Sequence, residues 1–313
     1  LAAVSFIILA VYKFYCNRNF KIAHYKKVQN KGLGKELVSF SGWSLFGAVA
    51  NVANSQGTNI VLNIFTNVSV NAAMGIANQV NAAVYSFVSN FQTAFNPQLV
   101  KSYAAGEKEE FQRLVSRSAK FSFYLLWLIV LPVYANCDFL LSLWLKNVPQ
   151  YSVGFVRLVL IFSLIESLNG PLWISIQATG KIRAYQIIIG MINILNLPLS
   201  VAAFCLGANP YWILYIRIAL NCFAFAIRVL LSRKYFALSA RLFLRGSVLI
   251  PVLIAAVSAF ATFLCGKLIS GSLPQFFATC AVSAVASGTL IFFVGMKAAE
   301  RNIVIEKFRR GRK

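Results

Sequence analysis

The chain has 313 residues, of which 59% are apolar and only 12% are charged, about half the charged share of a soluble domain. A soluble protein of this length could not bury so much apolar surface, so the lipid bilayer is its natural solvent. The net charge of +22 would by itself suggest nucleic-acid binding. The basic residues, however, fall in short blocks between long apolar runs, so we expect no nucleic acid partner.

The apolar runs predict an all-α polytopic membrane protein with about nine transmembrane helices. The first run, 1–12, is short and begins without Met or a basic leader, so we expect it to be the end of a helix and the chain to be a fragment. Each of the others is close to the roughly 20 residues that span a bilayer, and none alternates as barrel strands do. They are 38–66, 70–95, 119–137, 153–176, 185–206, 211–231, 248–266 and 274–296.

The connections between these runs alternate between basic and nearly uncharged. Of the 30 Lys and Arg residues, 26 lie in the odd-numbered connections and the tail 297–313, and two lie in the even-numbered ones. This pattern predicts a multi-pass protein with its basic loops and C-terminus in the cytoplasm. The basic stretch 13–36 is either a helix lying on the anionic inner leaflet or a solvated linker.

The second and third runs carry many amides but no ion. No residue from Leu37 to Val100 is charged, yet the segment holds 14 Asn and Gln. Such side chains either hold helices together or line a hydrated cavity, and their number favours a cavity for a neutral, hydroxyl-rich sugar. On a helical wheel they form one face per helix: Asn51, Asn54, Ser55, Thr58 and Asn59, then Asn78, Asn81, Tyr85, Ser89 and Gln92.

Apart from Lys120 and Arg228, which are counted with the basic connections, three charged residues lie inside the apolar runs. Arg157 and Arg217 are near the outer helix ends, where they either reach the interface or face a cavity. Glu166 is more central and half a turn out of phase with Arg157, so the two cannot pair on one helix face. Glu166 therefore needs a partner on another helix, water or a proton. Its own face carries Asn169, Trp173 and Gln177.

Three stretches carry a family resemblance. They are "FSGWSLFGAVANVANSQGTNIVLN", "NAAMGIANQVNAAVYSFVSNFQTAFNPQLVKSYAAGE" and "QATGKIRAYQ". The chain resembles the Wzx-type oligosaccharide flippases, polysaccharide transporters of the multidrug/oligosaccharidyl-lipid/polysaccharide (MOP) superfamily, most strongly over 37–120. The resemblance implies three parts: 1–36, the end of a first-lobe helix and a basic cytoplasmic linker; 37–231, a second six-helix lobe; and 232–313, two additional helices and a basic tail.

The resemblance also implies a function in the bacterial inner membrane. Such a protein flips a polyprenyl-diphosphate-linked oligosaccharide, a repeat unit of lipopolysaccharide, O-antigen or capsule, to the periplasmic leaflet by alternating access. The implied partners are the lipid-linked oligosaccharide, membrane lipids and the polysaccharide polymerase machinery, without cofactor or metal. In this sequence the amide faces would hold the sugar, and Arg217 and Arg228 would attract the diphosphate. Glu166 would serve ion coupling or hold a neighbouring side chain in place.

Three other classes compete with this interpretation. A cation-coupled multidrug exporter of the same superfamily would carry more acids in the lobe. A membrane-embedded glycosyltransferase or acyltransferase needs a general base or metal-binding acids. The only Asp and the only His, Asp138 and His24, are expected on opposite sides of the membrane, so we expect no enzyme. A structural anchor would not need two polar helix faces.

Overall fold

A computed structural model describes residues 2–20, 31–269, 271–302 and 306. The chain divides into two compact units, residues 1–41 and 42–313. The first unit contains α1 (Ala2–Asn19) and the start of α2 (Lys31–Phe65). Residues 13–19 continue α1 and residues 31–36 begin α2, whereas the sequence predicted a separate interfacial helix or linker over 13–36. The helices extend past their apolar runs, and residues 21–30 lie outside the described part.

Helices also make up the second unit, and the described residues contain no strand. The connection after α3 is limited to residues 105–107, so most of the connection expected between the apolar runs 70–95 and 119–137 is helical. The elements are α3 (Val68–Ala104), α4 (Lys108–Ala135), α5 (Cys137–Trp144), α6 (Ser152–Ala178), α7 (Arg183–Cys205), α8 (Trp212–Phe236), α9 (Ala240–Leu244), α10 (Ile250–Leu268) and α11 (Ser272–Leu290). A π-helical turn, Arg245–Leu249, joins α9 to α10, and another, Ile291–Gly295, extends α11.

Six helices of the described part are long and apolar enough to cross a membrane: α4, α6, α7, α8, the continuous helix Ala240–Leu268 and the extended α11. The predicted all-α polytopic fold is therefore confirmed. The other three predicted segments, α1, α2 and α3, are also helices, but their composition is not apolar enough to count as membrane-spanning. The basic end of α1 and the amides of α2 and α3 lower their hydropathy.

Local signals explain where the third helix begins and ends. Asn67 precedes α3, and its Oδ1 accepts a hydrogen bond from the backbone N–H of Val70 at 3.0 Å. This N-cap satisfies a donor that the helix itself leaves unpaired. At the other end Gly106 has φ +75°, a left-handed conformation that glycine adopts without steric cost. Together these residues make the sharp turns before α3 and before α4.

Helix α6 lies at the centre of the second unit and packs against α3, α4 and α8, while α7 packs against α8. Its buried serines, Ser163, Ser167 and Ser175, let neighbouring helices approach closely. Helices α10 and α11 pack on each other and on α4. Two hydrogen bonds fix them there: Trp127 Nε1 donates to Ser258 Oγ at 2.9 Å, and Thr279 Oγ1 donates to Asn136 Oδ1 at 3.0 Å.

Candidate functional site

Helices α2, α6, α7 and α8 enclose a cavity of about 560 Å³. Each helix contributes polar side chains, and apolar residues such as Ile189, Ile192 and Leu220 form the rest of the lining. The cavity therefore has a mixed polar and apolar lining inside an otherwise apolar bundle. The polar and aromatic residues that line it are Ser44, Asn51, Asn54 and Ser55 on α2; Phe162, Glu166, Trp173 and Gln177 on α6; Tyr185, Gln186, Asn193 and Asn196 on α7; and Arg217, Asn221 and Arg228 on α8.

One wall consists of amides paired between α2 and α7. Asn193 Nδ2 donates to Asn51 Oδ1 at 2.9 Å, and Asn196 Nδ2 donates to Asn54 Oδ1 at 3.0 Å. The partners advance by three residues on both helices, so the two helices run parallel at this point. Buried Asn196 Oδ1 accepts no hydrogen bond within the described part of the chain. The wall therefore holds two helices together, and one buried acceptor in it has no partner within the described residues.

The opposite wall holds a charged network around Glu166. Its Oε2 accepts a hydrogen bond from Asn169 Nδ2 at 3.0 Å and lies 3.8 Å from an Arg228 terminal nitrogen. Arg228 Nε donates to the Tyr185 hydroxyl at 2.8 Å. The Asn169 amide also donates to Asn221 Oδ1 at 2.9 Å. Glu166 thus finds its expected partner on another helix, and three helices meet in one network.

Arg228 is held in place but keeps a free donor. Its side chain is only 9% exposed, whereas that of Glu166 is 34% exposed. The 3.8 Å ion pair is too long for a hydrogen bond, and its NH1 atom has no hydrogen-bond partner among the described residues. Buried charges usually need full pairing. This arginine therefore has an unused donor next to the cavity.

A second cationic group lies over an aromatic ring. The Arg217 guanidinium stands 4.2 Å from the centroid of the Phe162 ring, a cation–π contact. Its buried Nε has no hydrogen-bond partner within the described residues. Trp173 and Tyr185 stack with ring centroids 4.6 Å apart. The lining thus combines two arginines, one carboxylate and flat aromatic surfaces, with a formal charge of +1.

Arg157, the other arginine inside the apolar runs, lies outside this cavity. Its NH2 pairs with Asp138 Oδ2 on α5 at 2.7 Å, and its guanidinium lies 5.5 Å from the centroid of the Tyr134 ring. The Asp138 side chain is 71% exposed. The pair is thus at the surface of the bundle.

The predicted α2 face is divided between the cavity and the helix contacts. Asn51, Asn54 and Ser55 line the cavity. Thr58 is buried and donates to the Asn54 carbonyl at 2.7 Å, and Asn59 is half-buried outside the lining. Only the first half of the predicted face therefore meets the cavity.

The α3 face lies against α4 and α6 and outside the cavity lining. Asn81 accepts a hydrogen bond from Ser163, and Gln92 Nε2 donates to Ser122 Oγ at 3.1 Å and to the Ser167 carbonyl at 2.9 Å. The remaining three residues make no such interhelical bond within the described part. Ser89 donates to the Ser86 carbonyl, Tyr85 is half-buried and close enough to Glu166 and Arg228 for electrostatic interaction, and Asn78 is exposed.

The polar face of α7 was not identified from the sequence. Gln186, Asn193 and Asn196 lie at i, i+7 and i+10, a spacing that puts them on one helix face. The same wheel that singled out α2 would have found them. Tyr185 carries no comparable signal, because a single tyrosine at a helix start is common in membrane proteins.

The fold and the cavity define a polytopic all-α membrane protein with a polar chamber between its helices. Residues 48–202 match the model of the MatE family, which belongs to the MOP superfamily. MatE proteins are transporters and not enzymes. The matched segment runs from α2 into α7 and so includes three of the four helices that line the cavity. Comparison with curated proteins and with solved structures gave no match.

Proposed function

We propose that this protein flips a polyprenyl-diphosphate-linked oligosaccharide from the cytoplasmic to the periplasmic leaflet of a bacterial inner membrane. The observation that carries the proposal is the lining of the cavity: two arginines with unused donors, one partly paired carboxylate and an amide wall. A diphosphate is anionic and a glycan is rich in hydroxyls. The positive charge suits the first, and the amides suit the second.

The physical task explains why such a chamber is needed. A sugar head group that crosses hydrocarbon loses its hydrogen bonds to water, at several kcal/mol each. The paired amides of α2 and α7 would replace that water, and the half-buried Trp173 would offer a flat surface to a sugar ring. Arg217 and Arg228 would hold the diphosphate. Alternating access between two lobes would then carry the head group across.

The flippase proposal includes an orientation and partners. Basic connections and the C-terminus face the cytoplasm, where the lipid-linked repeat unit of lipopolysaccharide, O-antigen or capsule is loaded. The product then faces the periplasm, where the polymerase machinery would use it. Residues 37–231 form the second transport lobe, and 232–313 contribute two additional helices and the tail, of which residues 303–305 and 307–313 lie outside the described part.

A cation-coupled multidrug exporter is the second candidate. Glu166 favours it, because this carboxylate is partly exposed to the cavity beside aromatic rings that could hold an organic cation. The arginines argue against it, since two cations near one acid repel a cationic ligand. The two candidates therefore depend on different residues of the same cavity.

Complementation of a strain that lacks its own flippase tests the proposal, with the complete natural gene and surface polysaccharide as the readout. Arg217→Gln should abolish the polysaccharide at unchanged protein level, and Arg217→Lys should restore part of it. The matched control is Arg233→Gln, which removes an exposed charge from the same helix and should leave the polysaccharide unchanged.

Drug export measured in the same strains separates the two candidates. Resistance to cationic drugs that depends on Glu166, together with normal polysaccharide in Arg217→Gln, would reject the flippase and favour the exporter. The flippase predicts the reverse pattern, with no export phenotype for Glu166→Gln.

A further inference from the structure

A second cavity, of about 710 Å³, lies between α4, the start of the α9–α10 helix and the residues that follow α11. It is separate from the transport cavity and shares no residue with it. We propose that it binds an anionic phospholipid of the surrounding leaflet, with the phosphate at its basic rim and an acyl chain along its apolar floor.

The position of this cavity matches the depth of lipid head groups. Its α4 residues from Glu109 to Arg117 precede the apolar run 119–137 of that helix, and Lys120 lies at the start of the run. Its residues from Leu238 to Ser247 precede the run 248–266, Ile250 lies at the start of that run, and Lys297 follows the last run, 274–296. The ends of three apolar runs therefore meet here, and such ends lie at the border between hydrocarbon and water.

The charge of the rim is complementary to a phosphate. Five cations line the cavity against two acids, Glu109 and Glu300, so the lining carries a formal charge of +3. The cations are Arg113, Arg117, Lys120, Arg245 and Lys297. The first three form ion pairs with glutamates. The side chains of Arg245 and Lys297 are exposed and have no ion pair or hydrogen bond within the described residues, so they are available to a phosphate.

The floor distinguishes a lipid from a free phosphate. It is formed by Leu238, Leu242, Phe243 and Ile250. Leu242 is 72% exposed, and an acyl chain that covered it would remove apolar surface from water. A free phosphate ion gains nothing from contact with such an apolar surface. We therefore assign the site to a lipid rather than to an inorganic anion.

The walls of the cavity are fixed before any lipid binds. Ser247 Oγ donates to the Ser116 carbonyl at 2.9 Å, which ties the π-helical turn to α4. Gln112 Nε2 donates to the carbonyls of Phe236 and Ala237 at 3.1 and 3.2 Å, which ties α4 to the end of α8. A preformed site loses little conformational entropy when a ligand binds. A bound lipid would bridge α4 and the C-terminal helices and so stabilise the folded protein.

Thermal unfolding of the purified full-length protein in detergent tests the proposal. The midpoint is followed while phosphatidylglycerol, phosphatidylcholine with the same chains, or glycerol phosphate is added. Phosphatidylglycerol should raise the midpoint with saturation, and the other two should not. Arg245→Gln and Lys297→Gln should each weaken the apparent affinity for phosphatidylglycerol about fivefold, the effect of one basic residue at an anionic surface.

Two matched controls make the test specific to the cavity. Arg241→Gln removes an exposed charge one turn before Arg245 but outside the lining, and should leave the affinity unchanged. Leu242→Ser should weaken binding, whereas Leu244→Ser, an exposed neighbour outside the lining, should not. Equal losses in Arg241→Gln and Arg245→Gln would overturn the proposal in favour of general surface attraction. Equal midpoint shifts with glycerol phosphate would assign the site to free phosphate. No shift with phosphatidylglycerol, or a shift with phosphatidylcholine equal to that with phosphatidylglycerol, would also overturn the proposal.

Discussion

Removing the charge of Glu300 should destabilise the packing of the C-terminal helices on α4 far more than removing an exposed glutamate. Glu300 Oε2 lies 2.6 Å from Lys120 Nζ, and its Oε1 lies 3.3 Å from Arg117 Nε. The Lys120 and Glu300 side chains are only 6% and 5% exposed. Glu300→Gln would therefore leave a buried ammonium without a counter-charge, held only by neutral acceptors such as the Gly295 carbonyl at 3.2 Å.

The magnitude follows from burial. Breaking a buried ion pair by removing one partner costs about 3–5 kcal/mol, because the other charge remains without compensation. The matched control is Glu109→Gln, which breaks the pair with Arg113 at 3.2 Å, where the side chains are 89% and 66% exposed. An exposed i,i+4 pair contributes about 0.3–0.5 kcal/mol. We expect the loss in free energy of unfolding to be roughly tenfold larger for Glu300→Gln than for Glu109→Gln.

Unfolding in mixed micelles at increasing fractions of denaturing detergent measures these free energies. Lys120→Met in the Glu300→Gln background should recover most of the loss, because a buried pair replaced by uncharged groups is often close to neutral. Equal effects of Glu300→Gln and Glu109→Gln would refute the reasoning, since burial would then make no difference. A double variant less stable than Glu300→Gln alone would refute it as well.

Two further predictions concern protonation and close packing. Burial alone would raise the pKa of Glu300, but hydrogen bonds from Lys120 and the Lys297 backbone and the nearby cations outweigh it, so the pKa lies below its usual 4.5. The stabilisation is thus fully present above pH 4.5 and lost as pH falls through the lowered pKa, a phase that acid titration should show in wild type and not in Glu300→Gln. Gly170→Ala places a Cβ 2.3 Å from Gln92 Oε1. It should lower the free energy of unfolding by about 1 kcal/mol, measured by the same unfolding assay, because Gln92 would lose its hydrogen bonds to Ser122 and Ser167. Gly75→Ala, with open space around it, should leave the free energy of unfolding unchanged.

The fold was largely predictable because hydrophobic run length sets the number of helices. Helix ends were not, since an apolar run measures only the part of a helix inside hydrocarbon. Arg228 shows the consequence. Arg228 is near the end of the run 211–231, and its charge counts it with the basic connection that follows, but α8 continues to Phe236 and carries Arg228 two turns inside its end. Its contact with Glu166 therefore could not be derived from loop charge.

The amide faces show a different limit. Helices α2 and α3 carry polar faces of similar composition, and a helical wheel treats them alike. In the structure α3 is packed between α4 and α6, so Asn81 and Gln92 bond to serines and a carbonyl of these helices. The α2 face meets α7, whose own amides supply the partners, and the space beside them is the cavity. Which helix lies opposite a polar face, rather than the face itself, decides whether its amides meet a cavity or a neighbouring helix, and tertiary packing alone provides that information.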